Sequence, residues 1–403
     1  MESTDSTGTN QRKAKELTVP FFRASLSEEE EAACIRVLRS GWLTTGAEAH
    51  EFEREFAQKL SVPFALAVNS NTSGMILAME ACGVTRGTAV ITTPYTFVST
   101  AASARHLGAD VLFADIEKDS YSIDPDKIEE ILKSPAGKKV RAIVPVHIAG
   151  NVCSMKRIMQ IAQTYGVKVI EDCAHSFPSL TEAGYAGAIG DAGVFSFYAT
   201  KTITTGEGGM VTAKDPQIAQ RITQMRLHGM NRDAWDRYTA QKASWEYDVI
   251  APGYKSNLPD ILAAIGRVQL KKAGEFYRKR IMHAQAYDSA FSCLDFVKIP
   301  PTSKGDARHL YLLRLNLEKL RCSRNTFAQE LQDKGIGISM HFIPLFHFSY
   351  WKSLYPEFTK KQFPNAEQKF QETVTLPLWP DMTKEMTDRV IQCVQETGEK
   401  YHA

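Results

Sequence analysis

The chain has 403 residues, 43% of them hydrophobic, with 48 basic against 46 acidic side chains and a net charge of +2. That length suits a large α/β domain with a smaller companion, and charges of both signs mixed along the chain give no electrostatic case for nucleic acid or an anionic membrane. The 7 scattered cysteines, without a C-x-x-C pair, argue against a disulfide framework or a metal knuckle and for free thiols in a reducing, cytoplasmic compartment.

Residues 1–18 are polar and rich in serine and threonine, the composition of a disordered tail, and lack the apolar run of a secretory signal. Ser27 and Glu30 form a capping-box pattern ahead of a helix ending near Gly41, and a second helix is expected over 48–60. Strands and helices then alternate. Strands are expected at 88–92, 111–115, 141–147, 167–172, 192–197 and 210–213, with helices at 75–82, 96–107, 154–165 and 216–227. Apolar strands separated by helices predict a mixed, mostly parallel sheet covered on both faces, whose ligands sit beyond the strands' carboxyl ends. A long helix is expected from Pro259 to about Ala290. After Pro300 and Pro301 the pattern becomes α+β, with strands at 308–317 and 337–342 and helices at 323–333 and 385–399. The expected division is a large domain over 19–279 and a small one over 280–403. No uninterrupted apolar run is long enough for a membrane-spanning helix.

Four features carry chemistry. Asp172 ends the strand VKVIED, where a carboxylate can hold a protonated ring nitrogen; its plainer reading is a helix cap or turn residue. Lys201 follows the strand GVFSF inside SFYATKTITTGEGG, where desolvation would lower its pKa and suit Schiff-base formation; otherwise it is a solvated loop lysine. The stretch NSNTSG (69–74) opens a helix and offers an anion site, or merely caps the helix. Phe97 can stack on a planar ring, or can belong to the core. In this order they supply a phosphate cradle, a stacking ring, a ring-nitrogen carboxylate and an amine, the set that pyridoxal 5'-phosphate needs.

With these residues in place, the chain resembles the DegT/DnrJ/EryC1/StrS family of nucleotide-sugar aminotransferases, pyridoxal-phosphate enzymes of fold type I. The likeness runs from about Phe21 to the C-terminus through SGWLTTG (40–46), NSNTSG, TPYTFVSTA (93–101), PVHIAG (145–150), EDCAHS (171–176), SFYATKTITTGEGG, LHGM (227–230), GYKSNLPDILAAIGRVQL (253–270) and HFIPLF (341–346). It implies an aspartate-aminotransferase-like large domain and a smaller α+β C-terminal domain. It also implies Lys201 as the cofactor's covalent anchor and proton shuttle, with Asp172 on the pyridine nitrogen. His175 would lie near the ring's 3′-oxygen and Phe97 on the ring face, while Thr72, Ser73 and Ser196 would hold the phosphate. Asn257 would reach the phosphate of a neighbouring subunit, making a homodimer with composite sites. Trp42, His228, His341 and His347 match motifs near the sugar path; for each, ordinary packing or a hydrogen-bonded imidazole is the competing reading.

The reaction implied is transfer of an amino group from L-glutamate to C4 of a nucleotide-linked 4-keto sugar, for a cell-surface glycan or related product. A 3-keto sugar is the alternative acceptor, and a non-catalytic cofactor-binding regulator the alternative class. A sugar dehydratase of the same fold would carry His where this chain has Lys201. Asn71, Lys255 and His175 stand where many members have Gly, Asn and Gln, which leaves the sugar open.

Overall fold

The computed structural model describes residues 17–231 and 246–403; residues 1–16 of the expected tail lie outside them. The capping box forms as expected. Ser27 Oγ accepts from Glu29 N at 3.2 Å, and the Glu30 carboxylate accepts from Ser27 N at 2.9 Å. Helix α1 (Glu28–Ser40) starts there and stops at Gly41, whose φ of 74° is the left-handed conformation that a helix C-terminus favours. Helix α2 (Ala47–Leu60) begins at Gly46, which has no side chain to cap it. Asp260 supplies the cap from far along the chain, accepting from Gly46 N (2.7 Å) and Ala49 N (3.0 Å).

The α/β part contains strands β1 (Phe64–Val68), β2 (Ala89–Thr92), β3 (Asp110–Phe113), β4 (Val140–Val144) and β5 (Lys168–Asp172), then the short hairpin β6 (Leu180–Thr181) and β7 (Gly184–Tyr185), and finally β8 (Ala192–Ser196) and β9 (Gly209–Ala213). Between them run α3 (Asn71–Ala81), α4 (Val98–His106), α5 (Pro125–Lys133), α6 (Met155–Tyr165) and α7 (Pro216–Met225). Seven strands form one sheet in the order β1-β9-β8-β5-β4-β2-β3, in which β9 runs antiparallel to both neighbours and the remaining pairs are parallel. Side chains alternate between the two faces. Val90, Ile170, Val194 and Val211 pack with Met75, Ala101 and Ile222 on one. Ile91, Ile143 and Val169 pack with Ile128 and Ile158 on the other, and Phe195 and Met210 with Phe52 and Phe56. The strand expected to reach 147 stops at Val144, because Pro145 has no N–H to continue the ladder.

Helix α8 (Asp260–Phe291) packs along α1 and α2 and ends in a second core, where Ala284, Tyr287 and Phe291 are buried. The expected division at 279/280 falls inside this helix. The second core lies against an antiparallel sheet of β10 (Val297–Lys298), β11 (Tyr311–Leu315) and β12 (Thr373–Leu376), with α9 (Arg324–Asp333) and α12 (Lys384–Tyr401). Val19 joins this core and bridges to Ile336. Two further helices, α10 (Ser349–Leu354) and α11 (Pro364–Glu372), lie between α9 and β12 in the chain, yet Trp351 and Ala366 on them pack in the core of the large sheet. The strand expected at 337–342 does not form: apart from an isolated bridge of Ser339 to Thr375, this segment leaves the sheet and walls a cavity with Met340, His341 and Phe342.

Candidate active site

The carboxyl ends of β5 and β8, the start of α3 and the turn after β8 surround a cavity of about 610 Å³. Its floor is Asp172, 2% exposed at the end of β5. Thr100 Oγ1 donates to Asp172 Oδ2 at 2.7 Å, and the amide N–H of Ala174 donates to Oδ1 at 3.1 Å. Burial holds this carboxyl above the usual carboxylate range, against those two donors and the charge of Lys201. Lys201 lines the same cavity, in a turn closed by its own N–H to Tyr198 O (2.9 Å). Burial pushes its amine down from 10.5 to about 8, and the Asp172 charge opposes that.

Helix α3 presents its N-terminus to the cavity. Ser70 is the cap: its Oγ accepts from Ser73 N at 3.1 Å. Two glycines bring this terminus down onto the sheet. A Cβ on Gly74 would meet Val194 at 2.7 Å, and one on Gly209 would meet the backbone of Ser70 and Asn71 at 2.8 and 2.9 Å. Ser196, paired with Gly209 across β8 and β9, stands beside this terminus on the cavity wall. Amide N–H groups, hydroxyls and an approach that any side chain would block give the start of α3 the character of an anion site.

His175 is buried with its ring stacked on Phe342 (5.6 Å between centroids, 16°). Its Nδ1 accepts from Ala149 N at 3.4 Å, so the neutral ring carries its proton on Nε2. Burial, reinforced by the Lys201 charge, holds His175 well below the normal imidazole range and takes His341 down to about 3. Phe97 stands at the mouth, 58% exposed.

The structure thus brings Thr72, Phe97, Asp172, His175, Ser196, Lys201 and His341 to one cavity. Five expected residues do not line it within the chain. The Ser73 hydroxyl is taken up by Ser70 Oγ at 3.1 Å. The Trp42 indole donates to Thr45 O at 3.1 Å and packs against Gly46, the anchoring role its aromatic ring also fits. Asn257 donates from Nδ2 to Thr45 Oγ1 at 2.6 Å. His228 is exposed, with left-handed backbone (φ 59°), and bonds Tyr254 O through its N–H. His347 is drawn to Glu367, with Nε2 2.6 Å from Oε2. Conversely, sequence reasoning missed His309, a buried wall residue 4.7 Å from the His175 ring, and Ser70 and Thr100. Ser70 was visible as the N-cap of NSNTSG. His309 had no local signal, because only the tertiary fold brings it to His175.

A desolvated amine and a strand-end carboxylate facing a helix-terminus anion site, on a mostly parallel sheet, are the parts that a pyridoxal-phosphate enzyme of fold type I requires. Residues 24–395 match the model of the DegT/DnrJ/EryC1/StrS aminotransferase family. The spore coat polysaccharide biosynthesis protein SpsC of Bacillus subtilis is 39% identical over 382 residues, covering 94% of this chain and 96% of its own. Among solved structures, Spr1654 of Streptococcus pneumoniae, assigned as a sugar aminotransferase and determined in a PMP form, superposes with a TM-score of 0.87 at 30% identity, covering 95% of this chain and 99% of its own. A PLP form of the same protein gives 0.86. Helicobacter pylori PseC, an aminotransferase in pseudoaminic acid biosynthesis, also gives 0.87, at 26% identity over 96% of this chain and all of its own. The chain belongs to the DegT/DnrJ/EryC1/StrS aminotransferase family and is a sugar aminotransferase whose cofactor is pyridoxal phosphate. Among the described residues, no helix is long and apolar enough to cross a membrane.

Proposed function

We propose that the enzyme transfers an amino group from L-glutamate to C4 of a nucleotide-diphosphate 4-keto sugar, making an amino sugar for a cell-surface glycan. The observation that carries the reading is Lys201 and Asp172 on one cavity, the amine held near 8 by burial. When bound, the cofactor supplies an electron sink for the carbon that gains or loses the amine. Lys201 Nζ would be the group that anchors it and the group that carries the proton at the reacting carbon, a role that needs an amine neutral part of the time. Asp172 would hold the ring nitrogen in its protonated form. Thr72, Ser196 and the amides at the start of α3 would hold the phosphate, Phe97 would cover the ring, and His175 would offer its Nε2–H to the ring's oxygen substituent. Involvement of SpsC in spore coat polysaccharide and of PseC in pseudoaminic acid supports a surface-glycan product.

A homodimer completes the site in this proposal. Phe97 and Tyr198, 58% and 47% exposed, form an aromatic rim at the cavity mouth, of the kind that a partner covers. Asn257, off the wall of its own cavity and bonded to Thr45, is the residue that this reading assigns to the phosphate site of a second copy. The test is incubation of purified enzyme with glutamate and a panel of nucleotide 4-keto and 3-keto sugars, with product mass and NMR. An amine at C4 from glutamate is expected. Amination at C3 alone, or no nitrogen gain with any sugar, would overturn the assignment.

A further inference from the structure

Behind the cavity, on the opposite face of β5, Glu171 and His147 are both fully buried. Glu171 Oε1 accepts from Ile189 N (2.9 Å) and Gly190 N (2.6 Å), and Oε2 accepts from Gly187 N (2.9 Å). His147 Nε2 lies 2.9 Å from Oε2. His147 Nδ1 accepts from Cys153 N at 3.2 Å, so the ring proton sits on Nε2 and is donated to Glu171. The main chain of His147 grips the neighbouring residue: its N–H bonds Asp172 O at 3.1 Å, and Asp172 N bonds Pro145 O at 2.8 Å.

With Cys173, these side chains form a buried His–Glu–Cys group whose ligand atoms lie within 4.8 Å of one another, a composition that could bind a metal. The hydrogen bonds oppose that reading. Glu171 already takes four donors, His147 Nδ1 is engaged by an amide, and burial raises the Cys173 thiol to about 11, against a metal ligand's need for thiolate.

We infer that the His147–Glu171 pair is a positioning device that locks the end of β5 so that the Asp172 carboxylate is held at the cofactor's ring nitrogen. The pair ties three segments to that strand end: the β4 terminus, the amides of 187–190 and Cys153. It rests on the role of Asp172 given above, and the variants are chosen to separate the two. His147→Leu removes the donor to Glu171, whereas His147→Gln can still donate from its amide; should Leu fail to fold, His147→Asn, too short to reach Glu171, takes its place.

Cofactor dissociation constants and visible spectra are measured on each protein, with KM for donor and acceptor at saturating cofactor. His147→Leu should weaken cofactor binding roughly 10-fold or more and shift the bound band, with substrate KM changed less than about twofold, and His147→Gln should recover most of the loss. Wild-type affinity and spectrum in His147→Leu, no rescue by Gln, or a stoichiometric metal in the wild type by mass spectrometry would overturn the proposal. Asp172→Asn is read in parallel. If it loses cofactor affinity while His147→Leu keeps it, only the positioning fails; if Asp172→Asn binds like wild type, both readings fail.

Discussion

The neutral fraction of the Lys201 amine sets how fast the apoprotein can capture its cofactor. An ordinary lysine at 10.5 is neutral in only about one molecule in a thousand at pH 7.5, whereas one near 8 is neutral in about a quarter, a gain on the order of 200-fold. The assay is rapid mixing of apoprotein with pyridoxal phosphate from pH 6.5 to 10, followed by absorbance. Capture by free Nα-acetyl-lysine is measured alongside and expressed per neutral amine, so that only the cofactor's own ionisations divide out. The corrected rate should climb with pH and level off near 8. The sign for Asp172 follows from its charge, which favours the protonated amine: in Asp172→Asn the inflection should move to lower pH. A corrected rate that keeps rising to pH 10, or an inflection unmoved in Asp172→Asn, would refute a desolvated amine coupled to that carboxylate.

Three substitutions probe the walls. Thr100→Val keeps the shape but removes the 2.7 Å bond to Asp172 Oδ2; cofactor affinity should fall roughly 10-fold by equilibrium titration, and the Asp172 carboxyl should move further up. Gly209→Ala sets a Cβ 2.7–2.9 Å from backbone atoms of Phe195, Ser70 and Asn71; chemical denaturation should show a loss of about 2 kcal/mol, and phosphate-dependent cofactor binding should weaken with it. Arg280→Met strips donors from two buried carbonyls, His309 O (3.0 Å) and Leu378 O (2.7 Å), both on residues of the cavity wall. Acceptor KM should rise severalfold with the cofactor dissociation constant unchanged.

Asp172 and Lys201 could be found from the sequence because each ends or follows a strand whose apolar run is unmistakable, and strand ends are where such sheets bind ligands. What periodicity could not supply was the cap of α2 by Asp260 across more than two hundred residues, or the folding of α10 and α11 back onto the large sheet. The shortest elements, such as the β6–β7 hairpin, are too brief to show any period. The 337–342 segment has a strand-like composition but spends it on the cavity wall rather than on a ladder. His147 and Glu171 were both present in the quoted motifs PVHIAG and EDCAHS. Their pairing needed the knowledge that β4 and β5 are adjacent and parallel, which brings the ends of the two strands side by side.

Three imidazoles stand around Lys201, and their protonation decides whether it can be the proton carrier. Had His175, His309 and His341 kept ordinary pKa values near 6.5, they would compete for the proton at working pH and add charge to a cavity that already holds a cation. Burial holds all three below that range, with the Lys201 charge acting in the same direction. They therefore serve as neutral hydrogen-bonding groups, and at pH 7 the titrating amine of the wall is Lys201 alone. Desolvation acts on both residue types in the same direction with opposite functional results. It brings lysine into the range where it exchanges protons and takes histidine out of it.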